Sequence, residues 1–220
     1  MENLKGTLAN VTGLKIDKYV SVDFSGIVKI VDTLGGIEVD VPKAFSDNFY
    51  PVAGLENEIC GKSGEEIASL HQKYSGFELE KQFSCRYEQL HFDKGIAKMD
   101  GATALKAARS RHGDSDFGRS TRQFAIIKAV LSKLMSLGSL DKLDQTFKTL
   151  SKMVKTDLTL GQTKELLKIF GNPGEYKISE IQLTAGNVLN ESKSADGQYI
   201  LIPKAGINNF SGVRSFLLGK

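Results

Sequence analysis

With 220 residues and 40% hydrophobic content, the chain has apolar material for a single domain with a sizeable core, burying about 70% of what its unfolded form exposes. A formal charge of +3 on 25% charged residues is too mild, and outside one arginine cluster too evenly spread, for a nucleic-acid platform. No run of about 18 apolar residues and no signal-peptide pattern occurs, so the chain reads as soluble and nothing in it spans a membrane.

Leu4, Leu8, Val11 and Leu14 recur at helical spacing across Glu2 to Leu14, with Gly13 near the end. Lys18 to Phe24 reads as a strand on the aromatic and β-branched character of Tyr19, Val20 and Val22. Ser25 then caps a helix whose Ile27, Ile30, Val31 and Leu34 share one face, and Gly35-Gly36 closes it. Ile37-Glu-Val-Asp-Val41 alternates strictly, and Pro42 stops it. Strand, helix and strand over this length predict a crossover unit and hence a layered α/β sheet. Asp23, at a strand end before a helix, reads as a cap rather than a cleft carboxylate, and Phe24 as core.

From about 43 to 95 the periodicity is lost, which reads as a long surface excursion that has to fold locally or carry function. Ser63 to Tyr74 fits a short helix within it. The only cysteines, Cys60 and Cys85, lie here; their spacing excludes a CxxC metal site and leaves a disulfide or two free thiols. His71 and His91 have no ligand spacing. Arg86 to Phe92 alternates as a strand, and Asp100 caps a short helix of strong formers that delivers Arg109. A long helix begins near Gly118, with Phe124, Ile127, Leu131 and Leu134 on one face. Leu140, Leu143, Phe147, Leu150 and Val154 mark another, and Thr159 to Phe170 a third, ended by Gly171-Asn-Pro. Tyr176 to Thr184 and Tyr199 to Pro203 read as strands, and Phe210 to Leu218 as a closing helix.

One stretch concentrates a residue type that the rest avoids. Of 29 Lys plus Arg only six are Arg, and four of them, Arg109, Arg111, Arg119 and Arg122, fall between Ala108 and Gln123. A guanidinium fork grips phosphate or carboxylate at two points, which an ammonium cannot reproduce. If Arg109 to Arg111 is extended, both guanidiniums point to one side and Ser110 to the other; if helical, they diverge. The extended form is expected. Asp114 and Asp116 are spaced to face one hard cation such as Mg²⁺. Arg119, Arg122 and Gln123 sit in a helical first turn, where free N–H groups already favour an anion. The plainer alternative is that the two aspartates cap the helix and pair with the arginines in a surface ion network. His112 lies inside the loop, equally compatible with a surface role.

The combined pattern RxRxxDxDxxRxxRQ, with Asp100-Gly-Ala-Thr-Ala-Leu upstream, Tyr19-Val-Ser-Val-Asp-Phe and Val31-Asp-Thr-Leu-Gly-Gly-Ile-Glu-Val-Asp-Val-Pro42, closely resembles the LytR-CpsA-Psr family of cell-envelope phosphotransferases. The resemblance covers most of Tyr19 to Leu134. It implies one catalytic domain over 1–220 with an α/β fold, a three-layer α-β-α sandwich around a mixed central sheet, N-terminally truncated. It implies transfer of a glycopolymer, teichoic-acid-like or capsular, from a polyprenyl pyrophosphate carrier to peptidoglycan with Mg²⁺, and pyrophosphatase activity when water replaces the acceptor. Arg109, Arg111 and Arg119 would clamp the pyrophosphate, assisted by Arg122 and Gln123, while Asp116 and Asp114 hold the metal or one acts as base. The family also implies the outer face of the cytoplasmic membrane, and a preceding transmembrane anchor and first strands that supply another Arg and acidic groups. In an exported protein of this kind Cys60 and Cys85 fit one disulfide contributing roughly 3 kcal/mol through loop closure. The rival from another class is a non-catalytic module binding polyprenyl phosphate or anionic glycan. A cytosolic sugar-phosphate enzyme would require reduced cysteines.

Overall fold

A computed structural model describes residues 1–113, 115–136, 152–170 and 179–219, and their side chains except those at 116, 135, 160, 164, 167, 168 and 170. In chain order the elements are α1 (Glu2–Thr12), β1 (Val20–Val22), α2 (Phe24–Thr33), β2 (Ile37–Val41), β3 (Phe45–Pro51), α3 (Gly64–Lys73), α4 (Gly76–Glu80), a 3₁₀ turn (Ser84–Arg86), β4 (Tyr87–Phe92), β5 (Gly95–Met99), α5 (Gly101–Arg109), α6 (Asp116–Ser136), β6 (Val154–Thr156), α7 (Leu160–Phe170), β7 (Leu189–Lys193), β8 (Tyr199–Pro203) and α8 (Ser211–Leu217). They gather into two compact units, Met1–Asp23 with Phe147–Lys220, and Phe24–Thr146.

The larger unit is built around β2. Its Ile37, Val39 and Val41 are buried while Glu38 and Asp40 are exposed, and it pairs antiparallel with β5, Ile37 opposite Met99 and Val41 opposite Gly95. The apolar face of this ladder meets α6 through Ala125, Ile126 and Ala129, and α5 packs beside it through Ala104, Ala107 and Ala108. Small residues on α5 let helices approach closely. Gly101 is the extreme case, since a Cβ there would stand 2.3 Å from the Val28 carbonyl oxygen of α2. The Gly101 N–H donates to Asp32 Oδ1 at 2.8 Å, and Asp100 caps α5 as expected by accepting from Thr103 N–H.

Residues 43–95, where the sequence pattern lapses, fold locally. Their ends pair as β3 and β4, Phe45 stacks on Phe92, and Ser63 opens α3 with a capping box to Glu66. Cys60 and Cys85 form a disulfide.

In the smaller unit β1 pairs with β6, and α1 packs on α8, where Arg214 Nη2 donates to Asn10 O at 2.6 Å. Asp157 ties its two chain segments, accepting from Lys5 Nζ at 2.7 Å and Tyr19 N–H at 2.9 Å. Strands β7 and β8 form a hairpin.

Several expectations need correction. The crossover between the first two strands does not form: β1 pairs with β6 and β2 with β5, and every ladder among the described residues is antiparallel. The strict in-out alternation of Ile37–Val41 is itself the antiparallel signature, since strands buried in parallel sheets are apolar on both faces. Phe24 is 57% exposed rather than core, and Ser25 lies inside α2, not at its cap. The long helix opens at Asp116 rather than Gly118. Val154 lies in a strand, while Leu140, Leu143, Phe147, Leu150 and Tyr176 lie outside the described residues; 179–184 is not a strand, and β5 and β7 appear where none was expected.

Closing a 25-residue separation, the disulfide is expected to stabilise by about 3 kcal/mol. Replacing both cysteines by Ser should lower the Tm, and wild-type protein in reductant should match that double variant in a thermal melt.

Candidate functional site

The arginine-rich stretch is a turn joining α5 to α6. Helix α5 ends at Arg109; Ser110 follows with φ −50° and ψ 131°, its N–H donating back to Lys106 O. That step sends Ser110 inward, 1% exposed, and leaves Arg109 and Arg111 exposed, but Arg109 is itself the last helical residue, so the extended run expected over Arg109 to Arg111 begins only at Ser110. The Arg109 guanidinium lies 4.8 Å above the Phe24 ring. Arg119 stands half-buried in the first turns of α6, its N–H donating to Ser115 O. Asp114 lies outside the described residues; Asp116 begins α6, with its side chain likewise outside them.

Beneath the turn sits Asp47, 0% exposed. It reaches inward because β3 alternates Phe45 in, Ser46 out, Asp47 in; a bulge shifts the register against β4 only after it, between Asp47 and Tyr50. Asp47 Oδ2 accepts from Ser110 Oγ at 2.8 Å, Arg111 N–H at 3.1 Å and His112 N–H at 3.2 Å; Oδ1 accepts from Phe49 N–H at 2.9 Å. Burial pushes this carboxyl up, but the bonds from Phe49, Ser110, His112 and Arg111 together outweigh burial and hold it below its ordinary value. The His112 ring stacks on Phe77 of α4 at 4.5 Å, with Nδ1 3.5 Å from Asp47 Oδ1. Gly113 completes the fit: a Cβ there would stand 2.4 Å from Ser46 O.

A buried cation holds the other side of the turn. Arg122 is 4% exposed, its guanidinium 4.2 Å over the Phe45 ring, with Nε donating to Ala107 O at 3.0 Å and Nη2 to Ser110 O at 2.7 Å. Gln123 Nε2 donates to Ala108 O at 3.1 Å. These are carbonyls that the end of α5 leaves without helical partners, at the pole where a cation is favoured. Arg122 and Gln123, expected to assist at the anion, are thus engaged in capping α5. Below Arg122, Val39, Val41, Phe45, Met99 and Ile126 line an apolar space of about 10 Å³, the size of one water. Among the described residues no three His, Cys, Asp or Glu side chains gather to hold a metal.

The geometry is that of a fixed turn with two exposed arginines on an α/β scaffold, and the chain as a whole can be compared with known proteins. The model of the LytR_cpsA_psr family matches residues 1–210. The chain belongs to this family. Among curated relatives of this LytR_cpsA_psr protein, the polyisoprenyl-teichoic acid–peptidoglycan teichoic acid transferase TagV of Bacillus subtilis (strain 168) is 27% identical over 184 residues, 83% of this chain and 39% of the relative. A transferase of the same description, TagU of Halalkalibacterium halodurans, is 28% identical over 209 residues, 94% of this chain and 54% of the relative. The chain therefore spans about 39% to 54% of the length of these relatives. The crystal structure of B. subtilis TagV superposes with a TM-score of 0.66, covering 99% of this chain and 69% of that one. The LytR_cpsA_psr fold is shown on both counts.

Sequence reasoning missed Asp47. The available signal was period two in Phe45-Ser-Asp, which puts a carboxylate on the same face as a core phenylalanine, where only a dedicated set of donors makes it tolerable. Because its folded pKa is depressed, Asp47 stabilises the fold fully above its ordinary value of 3.8, and that stability is lost as pH falls through the lower folded value. The Tm of wild type should accordingly drop below about pH 4; Asp47→Asn should be less stable at pH 7 and lose less on acidification.

Proposed function

We propose that this chain carries the catalytic region of a phosphotransferase that moves a glycopolymer from a polyprenyl pyrophosphate carrier to a peptidoglycan hydroxyl at the cell envelope. The observation that carries the reading is a turn whose backbone is fixed by a buried carboxylate and a buried guanidinium while Arg109 and Arg111 stay exposed on it. The names of the relatives support it: they describe a polyisoprenyl-linked teichoic acid as donor and peptidoglycan as acceptor. Among the described residues no helix is long and apolar enough to cross a membrane, so this part of the chain would meet the bilayer through its lipid-linked substrate.

Phosphoryl transfer asks a protein for position and charge neutralisation more than for covalent help. In this reading Arg109, Arg111 and Arg119 hold the pyrophosphate and neutralise charge as it builds on the non-bridging oxygens. The acceptor hydroxyl oxygen forms a bond to the sugar-linked phosphorus, and the bond from that phosphorus to the bridging oxygen breaks. Polyprenyl phosphate departs with the bond's electron pair, and the hydroxyl proton passes to Asp114 or Asp116 as base. With water in place of the sugar hydroxyl the same step is hydrolysis, the pyrophosphatase side activity. Arg122 and Gln123 act through the end of α5 rather than on the substrate. Mg²⁺ characteristically binds through one or two carboxylates plus substrate phosphates, so whichever of Asp116 and Asp114 is not the base would be its protein ligand, and the ion would supply further charge neutralisation.

The test is turnover of a polyprenyl-pyrophosphate-linked glycan with peptidoglycan, with and without Mg²⁺. Arg111→Ala and Arg119→Ala should each lower turnover about 10³-fold or more while leaving the circular dichroism spectrum unchanged. Undiminished turnover in both refutes these roles, and binding without any product would make the chain a polyprenyl-phosphate binding module instead.

A further inference from the structure

At 0% exposure, Asp47 takes no direct part in the chemistry above, yet the turn that carries the arginines is bonded to it. We propose that Asp47 is a positioning residue for the anion site, holding the Arg109–Arg111 turn in its binding geometry before any ligand arrives. This rests on the reading of the turn as a pyrophosphate site.

Four features carry it. Period two in β3 places a charged group on the face of Phe45, where an apolar side chain would normally pack. Three of the carboxylate's hydrogen-bond donors come from consecutive residues of the motif, Ser110, Arg111 and His112, so one group fixes the backbone of the whole step. Ser110 is held from both sides: its hydroxyl donates to Asp47 and its carbonyl accepts from Arg122. With Ser110 locked inward, the side chains before and after it face outward. At Gly113 a Cβ would stand 2.4 Å from Ser46 O, so glycine lets the turn lie against β3 there. A turn without these ties would have to be ordered at each binding event, a cost that weakens affinity by roughly tenfold per residue frozen.

The experiment measures inorganic pyrophosphate binding by calorimetry and amide hydrogen exchange at Arg111 and His112, in wild type, Asp47→Asn, Ser110→Ala and Leu34→Ala. Leu34 is a core residue following α2, at the end away from Phe24 and Arg109, and its truncation supplies a loss of stability without touching the turn. Asp47→Asn should bind pyrophosphate about tenfold more weakly or worse, the size of losing one charge-assisted hydrogen bond. The Arg111 and His112 amides should exchange faster in the same variant. Leu34→Ala at comparable Tm should change neither. If Asp47→Asn does not fold, Ser110→Ala decides: faster exchange at the two amides supports the strap, and unchanged exchange overturns it. Wild-type affinity together with protected amides in Asp47→Asn overturns the proposal. Should wild type itself not bind pyrophosphate, the functional reading falls, and exchange at the two amides alone then decides the strap, faster in Asp47→Asn supporting it and unchanged overturning it.

Discussion

Ser110 is gripped between two buried ions of opposite sign, and the rest of the larger unit is arranged to make that grip possible. Burying a lone carboxylate or guanidinium is costly, and each survives in a protein interior only when its hydrogen-bonding capacity is met. Here the two charges do not depend on each other as a salt bridge. Asp47 is met by N–H and O–H donors, Arg122 by carbonyl acceptors and the face of Phe45, and both sets come largely from residues 107–112. The backbone between the ions is thereby polarised from both sides. Loss of either ion leaves buried polar groups without partners, which costs more than the bond removed contributes.

The arginine motif therefore contains two functions that a spacing pattern runs together. Its outward members, Arg109 and Arg111, alternate with an inward Ser110. Its last two members, Arg122 and Gln123, point back onto α5 and supply what a helix C-terminus lacks. A guanidinium suits both tasks for the same reason, a planar fork of fixed donors, and that is why residue type alone does not divide them. Exposure does: Arg122 is 4% exposed and Arg111 lies on the surface.

How much of this was legible follows from the range of each interaction. Helices with caps and sustained periodicity, such as Gly64–Lys73 after Ser63 or Gly101–Arg109 after Asp100, are encoded within one or two turns and were read nearly to the residue. The cysteine pair was legible as an option and became definite only through the fold. Strand partnership is not local. Ile37–Val41 was visible as a strand, but its partner Gly95–Met99, with a glycine and only two strongly apolar positions, carried no alternation strong enough to announce itself. Asp47 was hidden for a related reason: apart from Phe49 N–H, its donors lie 63 to 65 residues away, so little beside it in the sequence explains its burial.

The helix dipole gives the site its asymmetry. Arg119, in the first turn of α6, breaks the usual preference for acids there, at a few tenths of a kcal/mol. Arg122 lies a turn further on, and its guanidinium meets the carbonyl end of α5, where the dipole favours a cation. Arg119 is nearer the start of the helix, and a bound phosphate close to the α6 N-terminus would turn its position from a cost into a gain. The same phosphate would meet Arg109 and Arg111 across a turn that Asp47 and Arg122 hold in place. A turn that is rigid before the ligand binds loses little entropy on binding, so more of the guanidinium–phosphate attraction remains available where charge develops during transfer.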